Sequence, residues 1–509
     1  MTAPRHVLVL GDQLTRAHGP LAGADPARTV VLTVESVGLV RATRARVQKA
    51  ALFFGALRRF AADLEADGFT VDHHRLAPSF EAAIAAHLER WPGATLEVMR
   101  PNDRGVAEAL RAAARAAGGD VRVVPNPLRL VDDEAFDAWA AGRKRWVMED
   151  FYRFARARLG WLMDPDDPTR PEGGVWNLDA QNRRVPPRGH RFAPPPRFAP
   201  DAVQDEVLDD VARTLPDHPG RLRPFDWPIT RAQALTALDR FVAERLPGFG
   251  PYEDALVHGE RTLDHSQLSV PLNLGLLHPR EVLEAVERAY REGDGRVPLQ
   301  SAEGFGRQVL GWREYVAHVD RVRGPELERA NALAHHAPLP DAYGTGATRM
   351  ACFADAWANL DERGWSHHIQ RLMVFGNLAL GLGVDPIELT AWFTSLHVDA
   401  QDWVMVPNVM GMSQHADGGG MTTKPYVSGG AYLNRMGDHC RRCPFDPGSR
   451  IGPTACPFTV GYWDFVDRHQ ERFARHPRMA VAVKAWRAHD AAEQAAVRAR
   501  TSELRERLP

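Results

Sequence analysis

Five short runs rich in β-branched and apolar residues crowd into the first 130 positions: HVLVL (6–10), TVVLTVE (29–35), FTVDHHRL (69–76), TLEVM (95–99) and VRVVP (121–125). Between the last four lie VQKAALFFGALRRFAADLEADG, SFEAAIAAHLERW and RGVAEALRAAARAAGG, each with apolar residues at helical spacing and a Gly or Trp-Pro stop. Strand, helix, strand in repetition predicts a doubly wound parallel sheet. The first turn after a strand is GDQLTR, not G-x-G-x-x-G, so the usual dinucleotide fingerprint is missing, although any ligand of such a sheet would favour the carboxyl ends of its strands. From about residue 165 the chain turns polar and Pro-rich, MDPDDPTRPEGG and VPPRGHRFAPPPRFAP flanking VWNLDAQNRR, which reads as a linker of more than fifty residues holding one ordered knot. Beyond Arg231 strand signals all but vanish, and helices punctuated by Gly and Pro take over, with no internal repeat. The expected division is an α/β unit over 1–130, a helical and Pro-rich connector over 131–230, and a large all-α unit over 231–509 that carries every cysteine.

A chain of 509 residues with 44% apolar and 25% charged residues is of ordinary soluble composition and long enough for two or three buried cores. MTAPRHVLVLGDQLTR has no signal-peptide pattern, and no apolar run approaches the roughly 18 residues of a membrane span, so a cytoplasmic location is expected. In that reducing compartment the four cysteines, Cys352, Cys440, Cys443 and Cys456, read as metal ligands rather than disulfide partners. The Cys-x2-Cys pair offers two sulfurs from one turn, and both Cys443 and Cys456 precede Pro-Phe, which adds an apolar wall. Zinc and an iron–sulfur cluster both accept four thiolates, so the residues alone leave the metal open. Lys424, Arg435, Arg441, Arg442 and Arg450 outnumber Asp438 and Asp446 in the same region, a basic surface suited to a phosphate backbone or simply a solvated face.

Three stretches of the helical half are too polar for simple packing. LDHSQLSVPLNLG (263–275) sets His265, Ser266, Gln267, Leu268 and Ser269 at a helix entry, where hydroxyls and backbone N–H groups suit a pyrophosphate, or where Ser266 or Ser269 is a plain N-cap. WSHHIQRLMVFGNLALGLG (365–383) carries His367 and His368 ahead of Arg371; adjacent residues on a helix diverge, so at most one histidine faces a given pocket. LHVDAQDWVMVPNVMGM (396–412) brings Asp399, Asp402 and Asn408, with Asp399 the candidate partner of Arg371. Tryptophans are spread through this half, among them Trp312, Trp357, Trp365, Trp392, Trp403 and Trp463. Such residues ordinarily build core, and they are also the side chains best able to pass single electrons.

Taken together, LVLGDQL, GRKRWVMEDFYR (142–153), GGVWNLDAQNRR (173–184), FDWPITRAQALTALDRFVAERLPGFGPYEDAL (225–256), HSQLSVPLNLGLLHP (265–279), GWREYV (311–316), WSHHIQRLMVFGN and the cysteine spacing resemble the cryptochrome/photolyase family, in its bacterial iron–sulfur branch. The resemblance implies a (6-4) DNA photolyase, a carbon–carbon lyase that repairs pyrimidine–pyrimidone (6-4) photoproducts in UV-damaged DNA with an electron from excited reduced FAD. The rival reading on the same scaffold is a blue-light signalling cryptochrome; a zinc-stabilised nucleic-acid-binding module fits only the cysteines and the basic patch. By the same resemblance the four cysteines ligate a [4Fe–4S] cluster, and Tyr252, Ser266, Gln267, Leu268 and Ser269 hold the flavin phosphates and ribityl chain. Trp312 and Arg313 flank flavin and lesion, Arg371 and Asp399 pair beside the isoalloxazine with Asn408 near its reactive edge, and His265 and Asp402 belong to the cofactor-binding set. His368, with His367 beside it, corresponds to the proton donor, and Trp392 to the flavin-proximal tryptophan. The branch's antenna, 6,7-dimethyl-8-ribityllumazine, is held against a carboxylate where this chain has Leu39, with Glu35 nearby, so weakened antenna binding is expected. Phe393 replaces a tyrosine, and AYGTG puts Gly344 where the branch has tryptophan, so an outer electron path either rerouted, with Tyr343 as the candidate, or weakened is expected, in a monomeric protein.

Overall fold

The computed structural model describes residues 4–509. β1 (Arg5–Val9), β2 (Thr29–Ser36), β3 (Thr70–Ala77), β4 (Thr95–Met99) and β5 (Asp120–Val124) form one sheet in the order β3-β2-β1-β4-β5, every neighbouring pair parallel. The doubly wound sheet expected from the alternation is present, and each strand lies within one residue of its sequence-based span. Helices Val47–Ala66, Phe80–Arg90 and Val106–Ala116 make the crossovers, the second begun by Ser79, whose hydroxyl accepts the Ala82 N–H. Strand residues alternate between two cores: Val7, Val9 and Val31 pack with the first helix, while Leu8, Leu32, Leu96 and Val98 meet Ile84, Leu88 and Leu110 of the other two.

Among the described residues no further sheet strand follows Val124, and the regular elements beyond it are helices joined by irregular segments. The connector is more ordered than its composition suggests. Asp201 caps helix Ala202–Thr214, which lies along Val47–Ala66 and buries Val207, Leu208 and Val211, with Gln204 donating to the Ala51 carbonyl at 3.3 Å. Asn182, at the end of the expected knot, is 1% exposed and donates to Glu253 and to the Gln300 carbonyl, both at 3.2 Å.

The two regions meet at the carboxyl ends of the strands. The Leu14 N–H after β1 donates to the Leu274 carbonyl at 2.9 Å, and a Cβ on Gly275, at φ +76°, would stand 2.9 Å from the Leu14 nitrogen, so only glycine fits. Asp103, after β4, accepts the Trp403 N–H at 2.9 Å. The switch-point crevice between β1 and β4 is therefore closed by the helical region. A second joint is Arg46, 1% exposed, which donates to the Leu360, Leu396 and Asp361 carbonyls at 2.7, 3.0 and 2.8 Å. Two of these lie in the last turn of helix Ala351–Arg363, where a cation suits the helix dipole. Burial lowers the Arg46 pKa to about 10, so the group stays charged at neutral pH. No helix among the described residues is long and apolar enough to cross a membrane.

Candidate functional site

Three helices of the α-helical region each widen into a π turn, over Arg307–Arg313, Gln370–Gly376 and Val406–Ser413. All three face one cavity of about 1050 Å³. A π turn inserts an extra residue into a helix without ending it, and here it presents Trp312 and Arg313, Arg371, and Asn408 to the cavity. The second and third turns are tied where Gln414 donates to the Gly376 carbonyl at 2.9 Å. Segment 263–275 forms a further wall with His265, Ser266, Gln267, Leu268 and Ser269, joined by Asp399 and His368.

Polar groups on this wall are either tightly paired or conspicuously unpaired. Arg371 donates through Nη2 to both Asp399 carboxylate oxygens at 3.0 Å and through Nε to the Ser366 carbonyl at 2.7 Å. Ser269 Oγ donates to the same carboxylate at 2.7 Å, so its hydroxyl serves the wall rather than capping a helix. The expected Arg371–Asp399 pair is thus formed, with Asp399 only 6% exposed. In contrast, Gln267 Nε2, His265 Nε2 and Arg313 Nε and Nη1 are buried without a hydrogen-bond partner. Gln267 also holds φ +59°, a left-handed conformation that a non-glycine residue keeps only under the constraint of its surroundings. Arg313 is stacked 5.1 Å from the Trp403 ring, and burial, then the neighbouring Arg129, lower its pKa to about 9.

The histidines separate cleanly. His367 is 2% exposed and stacks on His265 at 4.7 Å, away from the cavity wall; burial, followed by neighbouring cations, holds both well below the usual histidine range. His368 opens onto the cavity with Nε2 3.6 Å from Asp254 Oδ1. Burial works against its imidazolium, but Asp254 and Glu253 outweigh it and raise its pKa. Glu253 is 4% exposed and accepts from Gln308 and Asn182 at 2.7 and 3.2 Å; burial pushes its own pKa up to about 7. The sequence analysis does not single out this acidic pair, since Glu-Asp in PYEDAL is an ordinary pair of charged residues with no spacing signal of its own. Tyr252 packs on His190 and Phe192 outside the cavity, Asp402 is exposed, and Phe393 rather than Trp392 stands on the wall, with Trp392 one ring behind at 4.9 Å. The open rim carries Arg183, Arg435, Arg478 and Lys424 beside Tyr426 and Tyr432.

A second, small pocket is lined by all four cysteines, none disulfide-bonded, and closed by Met350, Leu433, Phe445 and Phe458. Gly430 leaves the room: a Cβ there would come 2.9 Å from Cys456 Sγ. Burial, then mutual repulsion of the sulfurs, pushes Cys352 far above the ordinary thiol range and Cys440 up to about 11. Burial raises Cys456 as well, and four converging sulfurs whose ionisation burial opposes at Cys352, Cys440 and Cys456 fit a bound metal centre, which compensates their charge. In the α/β unit, Glu35 is wholly buried and accepts from Arg58 at 2.7 and 3.0 Å, His73 at 3.0 Å and the Leu76 N–H at 3.2 Å, while Leu39 is 56% exposed. Neither residue leaves a free carboxylate for an antenna.

A parallel-sheet unit set on a helical region with a deep, cation-lined cavity defines a two-part ligand-binding protein. Residues 7–227 match the family model described as deoxyribodipyrimidine photo-lyase-related protein. A (6-4) photolyase of Agrobacterium fabrum is 39% identical over 486 residues, covering 94% of this chain and 95% of that protein. Among solved structures, a bacterial class III photolyase from Agrobacterium tumefaciens aligns over 99% of this chain and 98% of its own with a TM-score of 0.56 at 16% identity. The cryptochrome of Synechocystis sp. PCC6803 aligns over 86% and 89% with a TM-score of 0.51 at 17% identity, which speaks for the fold alone. The chain belongs to the cryptochrome/photolyase family, whose members generally bind FAD.

Proposed function

We infer that this chain is a light-dependent lyase that repairs (6-4) photoproducts in UV-damaged DNA. The observation that carries the reading is His368, which opens onto the cavity and is the one imidazole of its cluster biased toward its cationic form, by Asp254 and Glu253. The nearly full-length (6-4) photolyase relative supports it.

The wall residues fit FAD. Gln267, His265 and Arg313 have buried polar atoms awaiting partners, and the free Nε–H and Nη1–H groups of a guanidinium suit a pyrophosphate. The four cysteines fit a [4Fe–4S] cluster, with the apolar shell of Met350, Leu433, Phe445 and Phe458 around it. Reduced FAD, when bound, supplies the light-driven electron for bond cleavage. The chain's own residues do the rest. The Arg371–Asp399 pair fixes the wall against which the ring system would rest. His368 holds a proton at the cavity surface, where a donor is needed for the group transferred between the two bases to return. The rim cations Arg183, Arg435, Arg478 and Lys424 suit the backbone of a strand from which the lesion has been flipped, a damaged pair being cheaper to extrude than a sound one.

The test is illumination of the photoreduced protein with an oligonucleotide carrying one (6-4) product, followed by chromatography of the digested DNA. Recovery of intact pyrimidines is expected. No recovery from protein that binds the DNA and holds its flavin would give the site to blue-light signalling instead.

A further inference from the structure

Two indoles meet at a single carbonyl behind the cavity wall. Trp392 Nε1–H donates to the Tyr343 carbonyl oxygen at 2.8 Å, and Trp357 Nε1–H donates to the same oxygen at 3.0 Å. The two indole nitrogens therefore lie within about 6 Å of each other, and the two lone pairs of that oxygen are both taken. Trp392 is 8% exposed, and its ring is 4.9 Å from that of Phe393, which stands on the cavity wall. Trp357 is half-buried, on helix Ala351–Arg363, and so has a solvent-facing edge. Its indole lies flat on Gly346, where φ is +69° and any side chain would strike the ring. The contact fixes Trp357 in place.

Other exits from Trp392 are poorer. Tyr343 packs 5.2 Å from Trp392, but it is fully buried and its hydroxyl donates at 2.7 Å to the Phe375 carbonyl. Oxidation of a phenol requires loss of its proton, and an amide carbonyl is too weak a base to take it. Phe353 and Phe375, which surround Tyr343, are harder to oxidise still. On the other side of the turn Gly344 faces open space and offers no ring.

We propose that Trp357 is the outer member of a two-indole relay that feeds single electrons from solvent, by way of Trp392, into the cavity. The proposal rests on the flavin reading above and adds the residue through which the cavity is recharged, in place of the candidate route through Tyr343 named from the sequence. One electron leaves the Trp392 indole for the light-excited oxidant in the cavity. Trp357 returns one electron to Trp392 and becomes the oxidised indole itself. A thiol in solution gives one electron to Trp357, loses its proton to water and pairs with a second oxidised thiol as a disulfide. No bond to either indole breaks, and the net change is one electron moved from thiol to cavity.

The test compares flavin-loaded wild type with Trp357→Phe, which keeps an aromatic ring on Gly346 and removes the oxidisable indole. Under blue light with excess thiol, loss of the oxidised-flavin absorbance should slow by an order of magnitude or more, and the transient absorption of the oxidised indole should decay faster by a similar factor, because the vacancy is stranded next to the cavity. Flavin content in the dark, and repair by protein reduced chemically with dithionite, should match wild type. Unchanged photoreduction and indole lifetime in a flavin-loaded Trp357→Phe variant would overturn the relay and leave the flavin reading standing. Wild-type protein that takes up no flavin on reconstitution would overturn both.

Discussion

Replacing Arg371 with Met tests whether the cavity wall is held by charge. The variant keeps an unbranched apolar stem but removes two hydrogen bonds to Asp399 and one to the Ser366 carbonyl. It leaves a carboxylate that is 6% exposed with Ser269 as its remaining side-chain donor. Breaking one side of a buried ion pair costs about 3–5 kcal/mol, and because the Arg371 side chain retains 18% exposure the lower end, about 3 kcal/mol, is expected. Urea unfolding of the flavin-free protein, followed by circular dichroism, gives the loss. Arg371→Met/Asp399→Asn removes the stranded charge as well, so it should be at least about 1 kcal/mol more stable than the summed single losses predict. A loss below about 1 kcal/mol in the single variant, or strict additivity in the double, would refute the view that this pair holds the wall.

His368→Ala should abolish repair while leaving the flavin absorbance per chain unchanged; retained repair would remove this imidazole from the mechanism. Because Asp254 and Glu253 raise its pKa, repair should be fullest at low pH and fall as pH rises through the His368 value, and Asp254→Asn should move that fall to lower pH in the pH–rate profile. Ser in place of Cys352, Cys440, Cys443 or Cys456 should lower iron and sulfide content and the yield of folded protein, and a fully folded, iron-replete Cys352→Ser variant would contradict a four-thiolate site. Arg46→Met should lower the urea midpoint by the equivalent of about 3 kcal/mol, since three carbonyls lose their buried donor. With Glu35 committed to Arg58 and His73, purified protein should show no stoichiometric lumazine absorbance.

Much of the sheet was legible because its strands are short β-branched runs separated by helices with clear stops, and parallel order follows from the crossovers. Helix Ala202–Thr214 was hidden by its neighbours: its Val207, Leu208 and Val211 follow helical spacing, but the flanking prolines and acids made the whole stretch read as linker. At the site, residues in conspicuous polar segments, such as Ser269, Arg371 and Asp399, come together. Those in ordinary surroundings escaped notice. Glu253 and Asp254 look like any surface acids until the fold buries one and sets the other beside His368. A shared acceptor such as the Tyr343 carbonyl, or a π turn, has no residue signature, because each is a property of backbone geometry reached only when distant elements pack.

The histidine cluster illustrates how the site can select one proton carrier from chemically identical side chains. His265 lies 4.7 Å from His367 and 5.1 Å from His368, ring centre to ring centre, so charge on one disfavours charge on the others. Burial already opposes all three, and His265 and His367 have no carboxylate to offset it, so both remain neutral. His368 differs in facing Asp254 and Glu253 across the cavity edge. Glu253 gains in turn from its charge, since the His368 cation is the first influence that lowers the Glu253 pKa against burial. Placing the acids on the chain after Tyr252, away from the helix that carries the histidines, lets one imidazole be charged without charging its neighbours. Within the cluster a proton is therefore favoured on His368, which borders the cavity where a substrate would bind.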